Sequence, residues 1–142
     1  MAKKVVLAFS GGLDTTYCVK YLAEDLGLEV HSAVVNTGGF SEEELEDIKN
    51  KALELGVTEH TALDETNNFY EKCVRYLIAG NALKNNTYPL CVSAERVFQA
   101  IAIGAYAKKI GADVIKLQYF KAENLAIKDL KLAEYQKKNT KY

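Results

Sequence analysis

The apolar positions of the chain change period repeatedly. Val5 to Phe9 is an unbroken apolar run of strand length, after which Cys18, Tyr21, Leu22 and Leu26 recur at helical spacing up to Gly27, a natural helix stop. Val30 to Val35 reads as a second strand and Asn36-Thr37-Gly38-Gly39 as a loop, and Ser41 with Glu44 forms a capping box. Leu45, Ile48, Ala52 and Leu55 then mark one face of a helix closed by Gly56. Val57 to Leu63 predicts a weaker strand; Phe69, Cys73, Tyr76 and Leu77 mark a third helix, with Gly80 at its end. A polar break over Lys84 to Thr87 and the only proline, Pro89, precede a fourth helix from about Ala94 to Ile110, ending at Gly111. Ala112 to about Phe120 is the last strand.

Strands alternating with helices at this length predict a doubly wound, mostly parallel α/β sheet with helices on both faces, because parallel crossovers need a helix and are right-handed. Such sheets bind ligands beyond the carboxyl ends of their strands. The 142 residues, 49% hydrophobic and 26% charged, suffice for one domain with a real core. A net charge of −1 gives no reason to expect a nucleic-acid or anionic-membrane partner. Met-Ala-Lys-Lys leads into only five apolar residues before Ser10, too few for a signal-peptide core or a membrane span, so a cytoplasmic chain is the expectation. Cys18, Cys73 and Cys91 are widely spaced, without a CxxC pair, and are expected to be reduced thiols.

The stretch Ser10-Gly11-Gly12-Leu13-Asp14-Thr15-Thr16 follows the first strand and opens the first helix. Two adjacent glycines let the backbone turn sharply and bring its N–H groups near a ligand, Ser10 adds a hydroxyl, and the helix directs its positive end at the same place. These parts suit a phosphate. The stretch is neither a GxxxxGK[ST] loop nor a GxGxxG turn. Asp14 fits such a site if it caps the helix or helps hold a magnesium ion that meets the phosphates. A plain strand-to-helix turn capped by Asp14 accounts for the same residues, and on local chemistry both readings stand.

The apolar strand followed by Ser10-Gly11-Gly12-Leu13-Asp14-Thr15 resembles the pyrophosphate loop (PP-loop) of the N-type ATP pyrophosphatases, in the Leu-Asp-Thr form of the argininosuccinate synthase family. Val35-Asn36-Thr37-Gly38-Gly39, Lys51-Ala52-Leu53-Glu54-Leu55-Gly56, Tyr88-Pro89-Leu90 before Ser93-Ala94-Glu95-Arg96, and Gly104-Ala105-Tyr106-Ala107 continue the resemblance in order and spacing over residues 3 to about 115. It implies a Rossmann-like, adenine nucleotide alpha hydrolase-like fold. It also implies a cytoplasmic ligase of arginine biosynthesis and the urea cycle that activates citrulline with ATP as an adenylate, releases pyrophosphate, and lets aspartate displace AMP. Carried over by position, Ala8, Phe9, Ser10, Gly11, Gly12, Leu13, Asp14, Thr15 and Thr16 would hold ATP, Val35 would border the adenine, and Asp14 would bear indirectly on Mg2+. Tyr88, Ser93 and Arg96 match citrulline-site positions. No catalytic nucleophile or base is implied.

The departures narrow the expectation. Thr16 stands where the family has serine, and after Ile115 the family's Gly-rich, Asn-Asp-Gln aspartate segment gives way to a sequence without glycine. Residues 1–120 are therefore expected to form the nucleotide domain. Residues 121–142, with six lysines against three acids, are expected to form a basic helical tail unlike the family. An incomplete synthase and a non-catalytic ATP-binding or interaction module are the two readings, and surface bared by a missing second domain would favour a homo-oligomer. A thiolating relative would want a second cysteine near Cys91; a half-buried thiol is the plainer role. His31 and His60, on strands without metal-ligand neighbours, are expected to be solvated or hydrogen-bonded, and the acidic run Ser41 to Asp47 a solvated helix start. Tyr88 is equally a ring packed on Pro89.

Overall fold

The computed structural model describes residues 3–116. Its chain order is β1 (Lys4–Ala8), α1 (Leu13–Lys20) running on through a π-helical turn at Tyr21–Asp25, β2 (Glu29–Asn36), α2 (Glu42–Glu54) and β3 (Glu59–Asp64). There follow α3 (Thr66–Phe69), a second π-helical turn (Tyr70–Val74), α4 (Arg75–Ala79), a short ribbon of β4 (Leu83–Lys84) and β5 (Tyr88–Pro89), α5 (Cys91–Ile110) and β6 (Val114–Lys116). The main sheet has the order β3-β2-β1-β6, every neighbour parallel, with Val5 opposite both Val30 and Val114. The expected doubly wound parallel α/β architecture is the one observed.

Burial explains the unbroken apolar run of β1. Val5 and Leu7 join Val19 of α1 and Ala52 of α2 in one cluster, while Val6 joins Ala102, Ile103, Tyr106 and Ala107 of α5 in the other. A central parallel strand covered on both faces has no polar side to show. Each fully buried aliphatic residue contributes about 1.5–3 kcal/mol relative to exposure. The chain winds outward from β1 through β2 to β3 with α1 and α2 on one face, then returns over the other face with α5 to set β6 beside β1. The winding reverses at β1, so the carboxyl end of β1 is the topological switch point.

Four local expectations are corrected. In the first helix Thr15 and Val19 are buried and Cys18, Leu22 and Ala23 pack partly buried against the same cluster, as expected for Cys18 and Leu22, while Leu26 is 42% exposed. In the third helix Phe69 is buried against Phe98, but Tyr76 is 62% exposed with Arg75 over its ring, because the π-helical turn at Tyr70–Val74 breaks the simple period. The polar break is a hairpin, its turn supplied by Asn85 and Asn86 at φ +55 and +56, a region asparagine tolerates. The last helix begins at Cys91, three positions before Ala94, which takes Ser93 and the Cys91 thiol into its first turn. The capping box, the Gly111 stop at φ +67 and the three free cysteines are as expected. The expected tail helix over 121–142, and the last strand beyond Lys116, lie outside the described residues.

Candidate functional site

A cleft of about 240 Å3 opens beyond the carboxyl ends of β1 and β2, on the β2 side of the strand at which the winding reverses. Ala8, Phe9 and Ser10 line it from β1 and the turn that follows. Ala33, Val34 and Val35 line it from β2, Gly39 and Phe40 from the next loop, and Glu95, Gln99 and Ile103 from α5. Thus four of the residues singled out for ATP, Ala8, Phe9, Ser10 and Val35, share one cavity. Phe9 and Val35 are buried, whereas the Ser10 side chain is exposed.

The remaining loop residues make the turn and the first turn of α1. Gly11 takes φ +76, a region closed to most side chains, and Gly12 is the N-cap in extended conformation, without a side-chain cap. Asp14 therefore does not cap the helix, which corrects one of its two readings; it is an exposed acid in the first turn, where the helix dipole favours negative charge. Thr15 is buried and its hydroxyl donates to the Gly12 carbonyl at 2.8 Å. Thr16 Oγ1 is buried with no hydrogen-bond partner. An uncapped helix start, an orphaned hydroxyl and an exposed serine lie around one glycine turn, the donor set an oxyanion such as phosphate accepts. Leu13 is 85% exposed.

The loop after β2 is organised by Asn36, whose Oδ1 accepts from the Gly38 N–H at 2.9 Å and whose Nδ2 donates to the Phe40 carbonyl at 3.3 Å. It is tied to α5 where the Thr37 hydroxyl donates to Glu95 Oε1 at 2.5 Å; Gln99 Nε2 reaches the same oxygen at 3.3 Å. Glu95, Gln99 and Ile103 form one row at i, i+4, i+8, and that row was the signal that could have marked Glu95 and Gln99 as cleft residues. Of the three residues expected to meet citrulline, Ser93 and Arg96 are exposed on the same helix, and Tyr88 pairs its backbone with Lys84 in the ribbon. Ser93 and Arg96 thus lie on other rows of α5 than Glu95, Gln99 and Ile103.

Both histidines lie on strands beside carboxylates or hydroxyls. His31 is buried, its Nε2 2.8 Å from Glu29 Oε1; that bond is the main reason the Glu29 carboxyl sits below its usual range. His60 contacts Ser32 Oγ through Nδ1 at 2.7 Å and meets the Phe9 ring edge-on, and burial, helped by the Lys49 charge, pushes its pKa down to about 4. Both are hydrogen-bonded rather than solvated. Among the described residues no cluster of three metal-ligating side chains occurs, and no helix is long and apolar enough to cross a membrane. A magnesium ion shared between one carboxylate and bound phosphates needs no such cluster, and the exposed Asp14 carboxylate suits that arrangement.

Residues 4–118 match the family model of the arginosuccinate synthase N-terminal HUP domain. Among curated relatives, the argininosuccinate synthase of Pyrobaculum aerophilum is 35% identical over 114 residues, covering 80% of this chain and 28% of the relative. The argininosuccinate synthase of Nostoc punctiforme is 40% identical over 115 residues, again 80% and 28%. The one from Xylella fastidiosa is 42% identical over 91 residues, covering 64% and 22%. The matched part of the chain thus spans about 28% of the length of such relatives. A solved structure titled NMN synthetase from Francisella tularensis superposes over 80% of this chain and 44% of its own, with a TM-score of 0.58 at 17% identity, a likeness of fold alone.

Proposed function

The chain belongs to the argininosuccinate synthase family through its N-terminal HUP domain, and from that premise we propose that it forms the ATP-binding half-site of an ATP-dependent carbon–nitrogen ligase. The observation that carries this reading is the uncapped start of α1 behind Ser10 and the glycine turn, at the switch-point end of β1. Ser10, Gly11, Gly12, Asp14, Thr15 and Thr16 would serve the phosphates. Thr15 would do so through its backbone N–H, since its hydroxyl proton is already given to Gly12. Ala8, Phe9, Leu13 and Val35 would bound the nucleotide. Bound magnesium, held through Asp14 and the phosphates, would neutralise charge on the leaving pyrophosphate.

The family reaction asks the protein to hold citrulline in line with the α-phosphate of ATP and then admit the amine of aspartate, and no base of unusual pKa is needed for that. Tyr88, Ser93 and Arg96 are proposed for citrulline. Residues 1–120 would be the nucleotide domain, 121–142 a separate basic tail, and the place of action the cytoplasm. Calorimetry with magnesium-ATP on the chain and on Ser10→Ala and Asp14→Ala tests the half-site. Saturable binding weakened in both variants supports it, and a folded parent chain that does not bind overturns it. A non-catalytic ATP-binding module shares this half-site. Pyrophosphate release dependent on citrulline and aspartate separates the ligase from the module.

A further inference from the structure

Lys51, exposed on α2, donates from Nζ to the carbonyl oxygen of Gly11 at 2.6 Å, across forty positions of sequence. Ile48, one turn earlier on the same helix face, places Cγ1 3.5 Å from where a Cβ on Gly11 would lie. The glycine turn therefore rests on α2, with an apolar floor and a charged pin. α2 does not need that pin for its own anchorage, since Ile48, Ala52 and Leu55 already hold it in the core.

The peptide between Gly11 and Gly12 is flanked by two residues without Cβ atoms, so rotating its plane meets little steric resistance and an outside contact has to choose its orientation. A charge-assisted bond to the carbonyl does so. The peptide is trans and planar, so a carbonyl drawn toward α2 turns the Gly12 N–H the opposite way. α2 packs on one face of the sheet and the cleft is walled by α5 on the other. We propose that Lys51 is a positioning residue of the phosphate loop. It draws the Gly11 carbonyl away from the anion's side, commits the Gly12 N–H to that side, and leaves a positive charge behind the turn. The inference rests on the reading of Ser10 to Gly12 as a phosphate loop.

The test is calorimetry of inorganic pyrophosphate and of ATP, each with magnesium, on the full chain, Lys51→Met and Lys51→Arg, with thermal melts of all three. Methionine keeps the apolar stem and removes the ammonium; arginine keeps a charged donor within reach of the carbonyl. The expected result is at least a roughly tenfold loss of pyrophosphate affinity in Lys51→Met, the size of a lost hydrogen bond to a charged group. Lys51→Arg should recover to within about threefold of the parent, with unchanged melting in both variants, a rescue that general loosening of the fold would not produce. Pyrophosphate binding by Lys51→Met within about twofold of the parent overturns the inference and leaves the half-site standing. A folded parent chain that binds neither ligand overturns the phosphate-loop reading itself.

Discussion

His60 makes stability depend on pH in a window where few other groups act. Its ring lies between Ser32 Oγ, 2.7 Å from Nδ1, and the edge of Phe9, while Nε2 is buried without a partner. Burial first, and the Lys49 charge second, lower its pKa from 6.5 to about 4. The unfolded chain therefore takes up the proton before the folded one does, so stability is full above pH 6.5, falls as the pH drops from there toward 4, and levels off below. The whole displacement is worth about 3 kcal/mol. The ring is only half-buried, and allowing for solvent screening leaves about 1 kcal/mol lost between about pH 7 and pH 5. His60→Gln keeps a polar group near Ser32 and removes the titration. Urea unfolding midpoints across that range should fall for the parent chain and stay nearly flat for the variant. A variant that falls in parallel with the parent, or a parent that does not fall, refutes the argument. The carboxyls of Glu44 and Asp64 are held below their usual range, chiefly by the backbone N–H groups of Ser41 and Thr66, so their contribution is lost only at lower pH.

Three other outcomes are expected. Gly11→Ala should destabilise by about 1–2 kcal/mol because φ is +76, not because of crowding, since the new methyl would sit 3.5 Å from Ile48 in ordinary contact. Gly11→Asn should lose less, and equal unfolding midpoints for parent, Ala and Asn chains would contradict this. Ser41→Ala removes the hydroxyl that accepts from the Glu44 N–H at 3.2 Å and should cost about 1 kcal/mol in denaturant unfolding; a loss under a few tenths would mean that the cap is not supporting α2. The proposed homo-oligomer would draw on Ile101 and Val97, 64% and 51% exposed one turn apart on α5. Ile101→Glu should shift sedimentation toward the monomer, and a parent chain already monomeric at high concentration removes the proposal.

The pattern of residues was enough for the architecture because the physics that sets it is local. β1 is apolar at every position since both faces are covered, the Ser41/Glu44 box carries its own hydrogen bonds, and Gly111 stops α5 by admitting a left-handed backbone. The glycine turn after β1 was legible for the same reason, and the family model over residues 4–118 agrees with the resemblance read from it. The hairpin at Asn85 and Asn86 escaped because two asparagines signal a polar loop as readily as a turn at positive φ. The place of Thr15 on the packed face of α1 escaped because a threonine is buried there by turning its hydroxyl back onto the Gly12 carbonyl.

By itself, then, the sequence determined a parallel α/β sheet and the place of its glycine turn, both consequences of period, glycine conformation and strand ends. Tertiary structure alone decided what surrounds that turn. Lys51 behind Gly11, Glu95 and Gln99 across the cleft, and His60 against Ser32 are brought together by crossovers that close over 28 to 58 residues of chain. No spacing rule reaches that far, because such contacts depend on how whole elements pack across a sheet rather than on the period of any one of them.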